Sequence, residues 1–325
     1  MEKKAFMSIK FYEGDKTKQI IQDITEALKG AGIDNCVLIR DVEDWGKIHL
    51  PSDALMPDYA FPRMEKSDML VVEFSEKGVG LGVGAGYCYR AGVPIYLIAK
   101  EGSDISSTIG GLARAVIFYK DMADITKGFQ KIFARQALPV VLTSKSKYRR
   151  KTLEDAGIPF SVCPVDVDET PDETLSLKAQ YEDIARRKVL QGKERTEEMG
   201  DRILVAADQN LVYNGLPFGK PKNVDEARET IRSMMGHEIE AYVGNAVLVI
   251  ENGEIVEEIC KTDVATMYVN PVSDEELEDY LRTTDVCTMC GGMNLQVTPF
   301  LELKRGRKST AEGMTLQFLR KLSYQ

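Results

Sequence analysis

Pro139-Val-Val-Leu-Thr-Ser-Lys-Ser-Lys-Tyr-Arg-Arg-Lys151 decides how the second half of the chain is read. Val140 to Thr143 is apolar and β-branched and predicts a strand. After it comes a polar, basic stretch and then a helix-like segment ending near Gly157. Ser144, Lys145, Ser146, Lys147, Arg149, Arg150 and Lys151 are thereby expected in a loop between a strand and a helix. Backbone amides, hydroxyls and fixed cations in such a loop suit a polyphosphate. Taken alone, a solvated basic loop is the blander reading of this cluster.

Upstream, Ala5 to Ser8 is a short apolar run, followed by a polar loop and by Ile20, Ile21, Ile24 and Leu28 at helical spacing before Gly30. Cys36 to Ile39, Met69 to Phe74, Pro94 to Ala99 and Ala115 to Tyr119 predict further strands, with room for helices between several of them. The pattern is that of a parallel α/β sheet, flavodoxin-like or Rossmann-like. Downstream, Ile203 to Ala207 predicts a strand, and Ala246 to Ile250 and Ile255 to Ile259 flank Asn252-Gly253, a hairpin signal. That half is expected to be mixed α/β. Ser273 and Glu276 have the spacing of a capping box at the head of a helix over Asp274 to Leu281. The charged stretch from Lys188 to Arg202 reads as a solvated helix face.

A chain of 325 residues, 43% hydrophobic and 29% charged, is long enough for two cores, and the boundary is expected near residues 134 to 139, giving domains 1–134 and 138–325. The formal charge of -9 argues against a general nucleic-acid surface. No apolar run approaches the roughly 20 residues of a membrane span, and the N-terminus lacks the order of a secretory signal. A cytoplasmic protein without a membrane partner is expected. Cys36, Cys88, Cys163, Cys260, Cys287 and Cys290 are scattered, as reduced thiols would be. Cys287-Thr-Met-Cys290 has metal-knuckle spacing, but no second pair lies beyond it, which favours thiols over zinc. His49 and His237 are the only histidines, so Lys, Arg, Asp and Glu must carry any chemistry.

The basic loop gains meaning from the segments downstream of it: Asp168-Glu169-Thr170, Ala185-Arg-Arg-Lys188, Ala207-Asp208-Gln209, Gly219-Lys220-Pro221, Gly291-Gly-Met-Asn-Leu-Gln296 and Ser309 to Leu316. In this order residues 138 to 325 resemble the Maf family of nucleoside triphosphate pyrophosphatases. The resemblance implies hydrolysis of nucleoside triphosphates to monophosphate and pyrophosphate, clearing non-standard or excess nucleotides, with Mg2+ or Mn2+ as cofactor. It implies that Asp208 orients and deprotonates water and, with Glu169, holds the metal. It further implies that Arg149, Lys188, Lys220 and Ser144 contact the phosphates, and that Gln296 faces the nucleotide. Lys147 and Tyr148 depart from the family, standing where it often has Pro and its first Arg. Asp208-Gln209 is similar to the branch acting on 7-methylguanosine triphosphate, and Leu295-Gln296 to the thymidine and uridine triphosphate branch, so the base is left open.

In the first half, Gly78-Val-Gly-Leu-Gly-Val-Gly-Ala-Gly-Tyr87 carries glycines at alternating positions, which permit close approach or unusual dihedrals. Gly80-x-Gly82-x-x-Ala85 with Glu101 is a weak dinucleotide fingerprint. Residues 4 to about 130 resemble the nucleoside 2-deoxyribosyltransferase family more closely, with Gly84 where that family has its nucleophilic Glu. A glycine cannot form the glycosyl-enzyme intermediate, so transferase activity is not expected. Glu73 and Glu76 are nearby carboxylates outside the motif position; Asp58, Asp68, Ser8 and Lys10 are candidates to line a sugar or nucleotide pocket. A nucleotide sensor with little turnover, an N-glycosidic bond-cleaving first half, and assembly into a homo-oligomer stay open at this level.

Overall fold

The computed structural model describes residues 2–10, 15–51 and 54–321. It forms two compact units, Met1–Ala137 and Leu138–Leu322.

The first unit runs β1 (Lys3–Ile9), α1 (Asp15–Gly30), β2 (Ile33–Cys36), α2 (Leu38–Asp41), α3 (Phe61–Glu65), β3 (Met69–Glu73), α4 (Val79–Ala91), β4 (Ile95–Lys100), α5 (Ser107–Leu112), β5 (Ala115–Tyr119) and α6 (Met122–Gln136). All strand pairs are parallel, in the order β2-β1-β3-β4-β5. Strand side chains alternate between two apolar layers. Met7, Val71 and Ile98 pack with Ile24 of α1 and Phe129 of α6, while Phe6, Val72 and Leu97 pack with Met64, Leu81 and Ile109 from α3, α4 and α5.

The first unit departs from expectation in two places. The strand placed at Cys36 to Ile39 lies at Ile33–Cys36, and the chain then turns into α2. Polar side chains make that turn: Asp41 accepts from the Val37 amide at 2.7 Å, and Arg40 donates back to the Asn35 carbonyl at 2.6 Å. The alternating glycines from Gly80 to Gly86, in turn, lie within α4 behind the extended N-cap Gly78, and none from Gly78 to Gly86 has a positive φ. Gly80 and Gly82 are therefore inside a helix instead of a strand-to-helix turn, and the dinucleotide fingerprint has no loop to act through. Burial of Leu81, Ala85 and Cys88 overrides the poor helix propensity of glycine.

The second unit runs β6 (Val140–Leu142), α7 (Lys147–Asp155), β7 (Phe160–Val162), α8 (Leu177–Arg195), β8 (Arg202–Tyr213), β9 (Leu216–Phe218), α9 (Val224–Met234), β10 (Glu238–Glu251), β11 (Glu254–Val269), α10 (Asp274–Thr283), β12 (Leu301–Arg305), α11 (Lys308–Ala311) and α12 (Leu316–Lys321). Its mixed sheet has the order β12-β11-β10-β8-β6-β7, with β9 paired to β8. Asn252 and Gly253, at φ 53° and 82°, close the β10/β11 hairpin, as a tight primed turn requires. Ser273 and Glu276 form the expected capping box on α10.

β8 governs the site. Ile203, Val205 and Ala207 face the layer containing α7, α9 and α10. Leu204 and Ala206 face the opposite layer, where Ala185 and Val189 of α8 cover them. The period of two puts Asp208 on this second face. It pairs with Gly244 of β10, where a Cβ would come within 2.1 Å of the Tyr181 carbonyl oxygen of α8. A helix can lie this close to the sheet only over glycine. At the far end of α8, a Cβ on Gly192 would meet Thr143 Cγ2 at 2.3 Å.

The expectation of a solvated helix face over Lys188 to Arg202 holds in part: α8 runs to Arg195, and Glu194, Arg195 and residues 197–201 are exposed. Lys188, Val189, Gly192 and Thr196 are buried, and Arg202, 2% exposed, donates to Thr196 Oγ1 at 2.8 Å and to the Lys193 carbonyl at 3.1 Å. Among the described residues no helix is long and apolar enough to cross a membrane.

Candidate active site

Ala185, Lys188 and Val189 follow the i, i+3, i+4 spacing that shares one helix face. The two apolar members dock α8 on β8 and carry Lys188 to Asp208. Lys188 Nζ donates to Asp208 Oδ1 at 2.7 Å and stands 2.8 Å from Glu169 Oε1. The Lys188 and Asp208 side chains are 10% and 12% exposed, against 58% for Glu169. Asp208 lies within a twelve-residue strand and not at a strand end, contrary to expectation. Burial would raise the Glu169 carboxyl, but the Lys188 hydrogen bond and the charges of Lys188, Lys220 and Arg149 hold it below its ordinary value.

The basic run resolves differently from the expected loop. Only Thr143 to Ser146 is loop; Lys147, Arg149, Arg150 and Lys151 belong to α7. The Ser146 hydroxyl caps the helix by accepting from the Arg149 amide at 3.4 Å. Ser144 Oγ accepts from the Ser146 amide at 3.2 Å and from Arg149 Nη1 at 3.1 Å, and Arg149 Nε donates to the Gly313 carbonyl at 3.0 Å. The guanidinium is thus fixed at both ends. Burial draws its proton affinity down, opposed by the charges of Asp208 and Glu169. Tyr148, the departure from the family, is 8% exposed and packs into the apolar layer. Lys147 Nζ lies 5.2 Å from its ring centroid, and Lys151 pairs with Asp155 at 2.9 Å.

Lys220 is exposed on the turn after β9, and that turn is tied down by the Gly291 amide donating to the Gly219 carbonyl at 2.8 Å. Cys290 precedes this contact, and its thiol donates to the Gln209 carbonyl at 2.9 Å. Burial pushes the thiol up to about 11, with Asp208 adding to the rise and Arg149, Lys220 and Lys188 opposing it. One half-buried thiol therefore feels all four charged groups. Sequence reading takes Cys290 only as half of a metal knuckle and misses this position; its place directly before the Gly291 to Gln296 segment is the available signal. All six cysteines are free.

Gln296, expected to face the nucleotide, donates its amide to the Tyr148 carbonyl at 3.2 Å and to Thr152 Oγ1 at 3.0 Å. Hydrogen bonds thus join Lys188 to Asp208 and Glu169, and Arg149 to Ser144, while the charges of Lys220 and Arg149 act on Glu169 and Gln296 braces α7.

Among the described residues, no group of three or more His, Cys, Asp and Glu side chains could hold a metal. Asp208 and Glu169 nevertheless offer two oxygens to one cationic point, the Lys188 nitrogen. Two carboxylates supplemented by phosphate oxygens and water suit a hard divalent cation. The donor set fits such an ion once substrate contributes its own oxygens.

In the first unit, Glu73 ends β3, 7% exposed, and accepts from the Ser75 hydroxyl, and from the Tyr119 hydroxyl at 3.0 Å. Lys10 pairs with Glu76 at 3.4 Å, and Asp68 accepts from the Lys4 amide at 2.7 Å. Ser8 is half-buried near the end of β1, and Asp58 is exposed on the wide helical turn Leu55–Ala60. Gly84 faces apolar side chains: a Cβ there would come within 2.9 Å of Met64 Cε.

Buried and half-buried cations set around a carboxylate pair make a site for a multiply charged anion such as a polyphosphate. Residues 139–324, more than half of the chain, match the Maf-like protein family, and the chain belongs to it. It is 28% identical over 187 residues to a dTTP/UTP pyrophosphatase of Bdellovibrio bacteriovorus, covering 56% of this chain and 96% of the relative. It is 31% identical over 163 residues to a 7-methyl-GTP pyrophosphatase of Dictyostelium discoideum, covering 49% and 81%. Among solved structures, a 2-deoxyribosyltransferase of Bacillus psychrosaccharolyticus aligns with 38% of this chain and 90% of its own, at 13% identity and a TM-score of 0.31.

Proposed function

We propose that the second unit hydrolyses nucleoside triphosphates to nucleoside monophosphate and pyrophosphate, with Mg2+ or Mn2+ as cofactor. The convergence of Asp208 and Glu169 on Lys188, at 2.7 and 2.8 Å, carries the reading. The family and the activities for which the relatives are named support it. They support the triphosphate and not one base, since relatives named for pyrimidine and for 7-methylguanosine nucleotides match at similar identity.

In this reading Asp208, fixed on a buried strand, orients the attacking water at the α-phosphorus and takes its proton. Lys188, Arg149 and Lys220 offset the charge that grows on the departing pyrophosphate, and Ser144 holds Arg149 and offers its hydroxyl. A divalent ion held by Asp208, Glu169 and phosphate oxygens would neutralise charge and order the chain of phosphates. The first unit contributes no glycosyl transfer through Gly84, because that position has no carboxylate and faces Met64.

The test is pyrophosphate release from a panel of nucleoside triphosphates, with and without Mg2+ or Mn2+, by the parent and by Asp208→Asn. Loss of a general base should cost about 100-fold or more in kcat. Equal rates for the two proteins would refute the role of Asp208. Binding without turnover would favour a sensor, and free base among the products would restore glycosyl chemistry to the first unit.

A further inference from the structure

Glu169 is an exposed member of the site, with its side chain 58% exposed. It belongs to the irregular segment between β7 and α8. A carboxylate there needs its backbone fixed before it can meet Lys188 reproducibly. Part of the restraint is local: Asp168 Oδ1 accepts from the Thr170 amide at 2.9 Å, an Asx-type turn around Glu169. The rest comes from α8. Arg187 Nη1 donates to the Asp168 carbonyl, and Arg187 Nη2 donates to the Thr170 carbonyl at 3.0 Å. One planar guanidinium thus holds the residue before Glu169 and the residue after it. The guanidinium is itself anchored by Asp183, one turn earlier on α8, at 3.0 Å.

We infer that Arg187 is the positioning residue for Glu169. Consecutive residues of α8 divide the work, in that Arg187 fixes the peptide on both sides of Glu169 and Lys188 receives its carboxylate. The fork is what matters, because an ammonium is a point donor and does not present two coplanar N–H groups at fixed spacing. The inference rests on the triphosphate reading only for what Glu169 is positioned to do; the clamp itself is a property of the loop.

The experiment compares the parent chain with Arg187→Ala, Arg187→Lys and a control, Arg186→Ala, which removes the neighbouring charge paired with Glu258 on the exposed side. The first readout needs neither nucleotide nor metal. An endoproteinase specific for glutamate, applied under native conditions, should cut after Glu169 or Glu173 about tenfold faster in both Arg187 variants, since cutting follows local opening. The control should match the parent. The second readout is the Mg2+ concentration giving half-maximal pyrophosphate release. It should rise about 10- to 100-fold in Arg187→Ala, the usual cost of losing an outer partner of a metal-holding group. It should change little when Arg187→Ala is added to Glu169→Gln.

Cutting at the parent rate in Arg187→Ala would overturn the clamp, as would parent-like protection in Arg187→Lys, which would show that charge suffices. An unchanged Mg2+ requirement in an active Arg187→Ala, or full multiplicative loss in the double variant, would detach Arg187 from Glu169. A parent protein that releases no pyrophosphate would instead refute the triphosphate reading, and the proteolysis alone would then decide the clamp.

Discussion

Cys290 reports on its surroundings more completely than any catalytic candidate, because its thiol lies among Asp208, Arg149, Lys188 and Lys220. Its proton should leave near pH 9.0 in the unfolded chain and at about 11 in the folded protein. A folded value raised in this way contributes stability that is complete below pH 9 and is lost as pH climbs through 11. The stability of the parent relative to Cys290→Ala, measured by urea unfolding, is therefore expected to shrink between these limits; a difference that is flat or grows would contradict the assignment. Gln296 and Cys290 also mark how far single positions are legible. Asp208, Lys188 and Glu169 are named by motif order and do meet. The segment after Cys290 instead depends on Gly291 and Gly292, at φ 59° and 74°, and backbone of that kind decides which neighbouring side chain turns inward without leaving a periodic trace.

α8 reaches the sheet only because position 244 has no side chain. In Gly244→Ala the new methyl group would lie 2.1 Å from a backbone oxygen of Tyr181, which no rotamer change relieves. The helix must rise, at a cost of about 1–3 kcal/mol by the usual scale of overpacking, and Lys188 must withdraw from Asp208. Urea unfolding should show the loss, and pyrophosphate release should fall in parallel; a variant as stable and as active as the parent would mean that α8 is not seated as described. Elements with a local signature are readable beforehand, as with Asn252-Gly253 and the Ser273 box. β8 is foreseeable only as far as Ala207, because Asp208, Gln209 and Asn210 are poor strand formers that are held extended by pairing with β10. The helix at Val79–Ala91 escapes sequence reading for the converse reason: its glycines advertise a loop, and only contacts far away in sequence make it helical.

The chain carries two cores, and every side chain gathered around Asp208 belongs to the unit Leu138–Leu322. A protein consisting of residues 138–322 is therefore expected to hydrolyse the same triphosphates with kcat/KM of the same order as the full chain. A fragment that folds, judged by circular dichroism, but has lost activity would show that the first unit completes the site. Parallel and mixed sheets are foreseeable from the alternation of strands with helical spacing and from the hairpin. The pairing order is not, because it is set by contacts between distant segments. The bond from Arg149 to the carbonyl of Gly313 spans 164 positions. A nascent chain leaving the ribosome therefore exposes Arg149 long before the partner that locks it has been translated. Synthesis interrupted short of that glycine leaves the guanidinium without its carbonyl acceptor.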